Sequence, residues 1–254
     1  MNVLNVAARE LRAYFASPVA YLTMFGFLVI TGLFFAWYIS WFQDPQAFFY
    51  NIPASLDSVF RNLTIVLLLL APALTMRLLA EEQRSGTIEL LMTAPLRDWE
   101  VVVGKYLAAL ALYLIMLAAT LYYLLILLAF GKPDLGVVLT TYTGAVLLGA
   151  AFLAVGLLAS ALTRNQIIAA VLALGALLFL WLIEVFAPLL PTSITLPLGG
   201  SLNPSDALQN LSIISHYFDF TRGILDSRHI LYYLSLVAIC LFLATRVLEI
   251  RRWS

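Results

Sequence analysis

Charge is scarce in this sequence. Lysine, arginine, aspartate and glutamate make up 11% of its 254 residues, against about 25% in an average soluble domain. Fourteen basic residues balance fourteen acidic ones, so nothing in the net charge recommends a nucleic acid or an acidic substrate. Cysteine occurs once, as Cys240 inside an apolar run. That excludes an intramolecular disulfide and a thiolate metal site. The two histidines, His216 and His229, are too few and too isolated to suggest a metal centre. Catalytic signatures are missing as well. Gly104-Lys105 is followed by Tyr106, and Trp99 stands where a phosphate-binding loop has its first glycine, so the chain does not hold ATP in that way. There is no HExxH pair and no nucleophile elbow with a partnering histidine. The chain therefore reads as a non-enzyme, with no catalytic, cofactor-binding or metal-ligating residue of its own.

What the sequence does have is apolar length. Hydrophobic residues make 63% of it, and its mean hydropathy is +0.98, values that place it in a bilayer. Six apolar runs, residues 19–42, 59–80, 106–131, 137–162, 167–188 and 230–248, each approach the roughly 20 residues that a membrane helix requires. The first has Trp37, Tyr38 and Trp41 as an aromatic belt. The second contains Pro72, which predicts a kink, and Arg77, able to snorkel to the surface. Lys105 and Lys132 bracket the third. In the fourth, Gly144, Gly149 and Gly156 alternate with alanines and allow close helix contact. Asp226 is placed to cap the sixth. No internal repeat interrupts this pattern, which predicts a single membrane domain over 1–254.

Residues 2–16 form an amphipathic helix ahead of the first span. Val3, Leu4, Ala7, Leu11, Tyr14 and Phe15 share one face, with Arg9 and Arg12 opposite. Such a helix either lies in the headgroup layer or packs on another subunit. It also argues against a cleavable leader, since the first apolar run is longer than a signal-peptide core. With six spans both termini share one side, and ten of the fourteen basic residues fall there. The positive-inside bias predicts that this side is cytoplasmic.

The longest polar interruption, residues 81–97, lies on that side between the second and third spans. Ser85-Gly86-Thr87 is a helix break with cap oxygens. Ile88, Leu91 and Met92 follow at helical spacing with Glu89 at the edge, and Pro95 limits the helix. This describes either a solvated loop or a short helix suited to docking on a soluble partner. Arg164-Asn165-Gln166 is a second short turn on the same side, a plain turn or a second contact. On the outer side, residues 191–229 are too polar to cross and too long for a turn. Asn203-Pro204 starts a helix there, and Leu208, Leu211, Ile214 and Phe218 continue at helical spacing. Glu184 is the one acidic residue inside an apolar run. Four residues before Pro188, it belongs near the outer interface, within reach of water or Arg222. A proton or cation site is the other reading.

This plan resembles that of the ABC-2 type transporter permeases. The stretch Glu82-Gln83-Arg84-Ser85-Gly86-Thr87-Ile88-Glu89-Leu90-Leu91 through Pro95 is similar to that family's E-x-x-x-G-T-x-E-x-L…P segment, followed by a Gly-Lys, here Gly104-Lys105. His216-Tyr217-Phe218, Arg222-Gly223-Ile224-Leu225-Asp226, Tyr232-Tyr233 and Arg251-Arg252-Trp253 resemble the gliding-motility-associated permease subgroup. The resemblance implies an all-α polytopic membrane protein of the type V exporter kind. It would have six transmembrane helices, an interfacial N-terminal helix, a cytoplasmic coupling helix between spans two and three, and an outer helical segment between spans five and six. It implies two copies of a separate ABC ATPase carrying ATP and magnesium, and a second permease chain, identical or not. It further implies membrane lipid around the bundle, a companion with a large outer domain, and a multi-pass place in a prokaryotic inner membrane with both termini cytoplasmic. Glu82, Gly86, Thr87, Glu89, Leu91 and Pro95 would be the ATPase-coupling residues, with Arg164 and Asn165 as further candidates. The function implied is export or mechanical work coupled to ATP hydrolysis. A force-transmitting subunit that moves no solute is an alternative. A secondary transporter or channel would need ionisable groups at mid-membrane, and Glu184 alone is offered.

Overall fold

A computed structural model describes residues 2–42, 56–86, 97–130, 133–190, 194–195 and 201–253. The chain begins with α1 (Asn2–Ala16) and α2 (Pro18–Phe42). Then come α3 (Asp57–Thr75), the short α4 (Ala80–Ser85), α5 (Asp98–Ala119) and α6 (Leu121–Phe130). The second half contains α7 (Leu135–Leu162), α8 (Gln166–Phe186), α9 (Pro204–Gln209), α10 (Ile213–Thr221) and α11 (Ser227–Trp253). A two-residue antiparallel ladder, Ile194–Thr195 with Ser201–Leu202, is the one strand pairing among the described residues. Among the described residues, six stretches are long and apolar enough to cross a membrane: Pro18–Ser40, Val59–Ser85, Asp98–Ala129, Leu135–Leu162, Gln166–Phe186 and Ser227–Ile250. Successive spans alternate in direction, so α1, α4, the start of α5, the α7–α8 turn and the end of α11 share one end of the bundle.

The fourth span, α7, is the axis of the bundle. Its most apolar window is 72% buried, against 17% to 22% for α2, α8 and α11. It packs on α3, α5, α8, α10 and α11. Its small residues make that possible, because each lets a neighbour's side chain meet the helix backbone. A Cβ on Gly144 would lie 2.6 Å from that of Phe220 of α10. One on Gly149 would strike the Tyr113 ring of α5, and one on Gly156 the Thr75 hydroxyl of α3. Tyr113 then donates its hydroxyl to the Ala145 carbonyl at 2.7 Å.

Pro72, where the sequence suggested a kink, stands one turn before the end of α3. Helix α3 carries through it and is interrupted at Met76–Leu79. Bilayer hydrocarbon offers no partner for peptide groups freed by such a break, and side chains of other helices take them up. Ser160 of α7 accepts from the Leu79 and Ala80 amides at 3.1 and 3.0 Å and donates to the Met76 carbonyl at 3.2 Å. One hydroxyl thereby uses its full capacity of one donor and two acceptor sites. Tyr14 of α1 donates to the Leu74 carbonyl at 2.7 Å. Burial, with Glu10 adding to it, raises the Tyr14 pKa, which keeps its hydroxyl a donor.

The outer segment differs from the single helix expected. Ser212 divides it, accepting from the amides of Ile214 and Ser215 as the N-cap of α10. Glu184 takes the Ser212 hydroxyl at 2.7 Å, so its partner is this serine rather than Arg222. Tyr217 donates to the Phe60 carbonyl at 2.9 Å, and Tyr233 to that of Ile213 at 2.6 Å. Arg61 lies 4.7 Å from the Phe218 ring centroid. Helix α10 is thus fastened to α3, α8 and α11. The histidines are not isolated: the rings of His216 and His229 lie 4.8 Å apart, and His229 meets Asp219 at 3.0 Å. Among the described residues no group of three or more side chains is arranged to hold a metal.

Candidate functional site: the ion cluster joining α1, α4 and α5

Lys105 was expected at a span boundary. It lies instead two turns inside α5, and its side chain is 1% exposed. Two carboxylates hold it there, Glu82 of α4 at 2.8 Å and Glu10 of α1 at 3.2 Å. Arg9 reaches Glu10 at 2.8 Å, so two cations face two carboxylates. A buried ammonium is tolerated only when paired in this way.

Sequence places these groups together through small residues and helix register. Glu10 falls one turn after Val6, whose side chain is 5% exposed, and Val6 sits against Gly104, where a Cβ would approach within 2.7 Å. Gly104 thus lets α1 approach α5 closely beside Lys105. Of the apolar face expected for α1, Val3, Ala7, Leu11, Tyr14 and Phe15 are partly buried and Leu4 is 70% exposed, while Val6 beside them is buried. The helix packs on its own chain's third span, with Glu10 meeting Lys105, a contact that hydrophobic periodicity does not register.

Of residues 82–97, the structure describes 82–86 and Arg97. Helix α4 is tied to α7 by the Gln83 amide, which donates to the Ala161 carbonyl at 3.0 Å. It ends at Gly86, whose φ of 70° is left-handed and suits glycine. At the start of α5, the Arg97 amide donates to Glu100 Oε2 at 2.9 Å, half of a capping box.

A family model described as ABC-2 family transporter protein matches residues 4–248. The chain belongs to the ABC-2 transporter family. It is accordingly a multi-pass membrane component of an ABC transporter, the permease part. No curated protein matches the chain.

In this ABC-2 permease the predicted coupling residues divide into three sets. Glu82 and Gly86 lie at either end of one short helix, Glu82 turned inward on Lys105 and Gly86 exposed. Arg164 and Asn165 are exposed on the turn joining α7 and α8, both of which touch α4. Asn165 serves as the cap of α8, accepting from the Ile167 amide at 2.9 Å. Thr87, Glu89, Leu91 and Pro95 lie outside the described residues. The intramembrane candidate Glu184 is at the opposite end, three residues from the Ala187–Leu189 turn that closes α8. Sequence reasoning missed Glu10 and Lys105. The available signal was a lysine seven residues past Asp98 inside an apolar helix, about 10 Å deep at 1.5 Å per residue. At that depth a cation calls for a carboxylate.

Proposed function

We propose that this permease couples ATP hydrolysis, carried out with magnesium by two copies of a separate ABC ATPase, to work across a prokaryotic inner membrane. Residues 82–97 are the coupling segment, and Gly86, Thr87, Glu89, Leu91 and Pro95 meet the ATPase. The observation that carries this reading is the anchoring of that segment. Its described ends are the left-handed Gly86 and the Arg97 cap of α5. Within α4, Glu82 meets Lys105, which also meets Glu10. A push on the segment therefore reaches α1, α4 and α5 together through short, buried ion pairs. Glu82 acts here as an inner link. The positive-inside bias supports a cytoplasmic place for this end and for both termini.

Two permease chains form the working unit, and export is the activity. A companion with an outer domain docks on residues 191–229, in keeping with the resemblance to the gliding-motility-associated subgroup. Transmission of force to that companion without solute movement is the second reading. It is favoured by α10, which side chains of three other helices fix in place.

A mild-detergent pull-down of the full chain, read by mass spectrometry, tests the proposal. An ABC ATPase should accompany the protein in near-equal amount, and Gly86→Pro or Glu89→Arg should remove it while membrane insertion is unchanged. Recovery of the ATPase with both variants at the wild-type level would refute the coupling assignment.

A further inference from the structure

One face of α1 is closed by Lys105, and the face beside it is open. Between α1, the first turn of α2 and the end of α3 runs a crevice of about 170 Å3, comparable in size with cavities that admit a benzene-sized apolar ligand. Val19, Ala20, Leu74 and Leu78 give it apolar walls. Its charges are unequal. Glu10 lines it but is already matched by Lys105 and Arg9. Arg77 also lines it, is exposed, and pairs with no carboxylate among the described residues. The crevice therefore presents one uncompensated cation above an apolar slot.

Its level in the bundle narrows the occupant. Val19 and Ala20 belong to the first turn of the span that begins at Pro18, where the chain passes from the headgroup layer into hydrocarbon. A slot at that depth is filled from the bilayer, and a cation at its rim selects an anionic head. We propose that the crevice between α1, α2 and α3 binds one anionic phospholipid, with its phosphate on Arg77 and part of an acyl chain along Val19 and Ala73, which are partly exposed in its lining. Glu10 borders both the slot and the ion cluster, so the lipid seats α1 against α5. This assignment stands whether or not an ATPase docks on residues 82–97.

The test uses the purified full chain in mixed micelles with phosphatidylglycerol or phosphatidylcholine, read by melting temperature and by native mass spectrometry of retained lipid. Phosphatidylglycerol should raise the melting temperature more, and one molecule per chain should survive purification. Arg77→Gln should weaken its binding about fivefold, the loss expected for one basic residue at an anionic surface. Ala13→Phe, at an exposed position lining the slot, should abolish retention of lipid. Arg12→Gln, exposed and outside the slot, should change nothing. Wild-type binding by Arg77→Gln would overturn the proposal, as would an equal loss in Arg12→Gln, which signals general surface attraction. Stabilisation by inorganic phosphate equal to that by phosphatidylglycerol would also overturn it, since it would reduce the site to a free anion's.

Discussion

Replacing Lys105 with methionine keeps the length and apolar stem of the side chain and removes its charge. The ammonium is 1% exposed, with Glu82 at 2.8 Å and Glu10 at 3.2 Å. Without it, two carboxylates share one site with only Arg9 in attendance. Breaking a buried ion pair by removing one partner costs about 3–5 kcal/mol. The carboxylates keep 16% and 17% of their exposure, which lets water relieve part of the repulsion, so the lower figure of about 3 kcal/mol applies. For a chain of this size that corresponds to a fall of about 6–12 °C in melting temperature. Adding Glu10→Gln and Glu82→Gln to Lys105→Met removes the stranded charges and should restore most of the loss, because a neutral replacement of a whole buried ion cluster is often harmless. Tryptophan-fluorescence melting of the detergent-solubilised protein compares the three. If Lys105→Met melts within about 2 °C of wild type, or if the triple variant is less stable than the single one, the cluster is not what holds this end together.

Ser160→Ala leaves the Leu79 and Ala80 amides without their acceptor and should cost about 1–3 kcal/mol, seen as a lower melting temperature. Gly149→Ala pushes a methyl into the Tyr113 ring and should lose roughly 1–3 kcal/mol to overpacking, with Gly175→Ala, which meets open space, as the silent control. Ser212→Ala removes the α10 cap and the Glu184 partner. A loss of about 1–2 kcal/mol should appear as faster proteolysis of the outer segment. Burial, and then the neighbouring His229, hold the His216 pKa below its ordinary value, with Asp219 opposing. Its neutral form is favoured in the fold, so unfolding takes up a proton in acid. Stability should fall as pH drops below about 6.5 and level off beneath the lowered folded value. A pH series of melting temperatures should be flatter for His216→Gln.

Much of this architecture was legible because a bilayer enforces simple rules. Six apolar stretches of spanning length give six helices, and Gly144, Gly149 and Gly156 announced the close contacts they make. The Asp226 cap was legible too, its carboxylate taking the Arg228 amide at 2.9 Å. What escaped prediction depended on partners far apart in the chain. Pro72 marks a weak helix, but the break falls where Ser160, some 80 residues later, can satisfy it. Val6 is buried and Leu4 exposed on a helix whose Glu10 meets Lys105, and no local pattern links residue 10 to residue 105. Ser212 reads as one more polar residue in a helical stretch until Glu184 is seen to hold its hydroxyl. The coupling motif itself was read from resemblance, and its middle, residues 87–96, lies outside the described residues.

The central place of α7 has a consequence for how the protein is made. Synthesis releases the spans in order, and α7 is the fourth. Until it enters the bilayer, Thr75, Tyr113 and the broken turn at Met76–Leu79 lack the surfaces that complete them. The first three spans are therefore inserted before the surfaces that complete them. The arrival of α7 then supplies the glycine contacts of Thr75 and Tyr113 and the Ser160 hydroxyl.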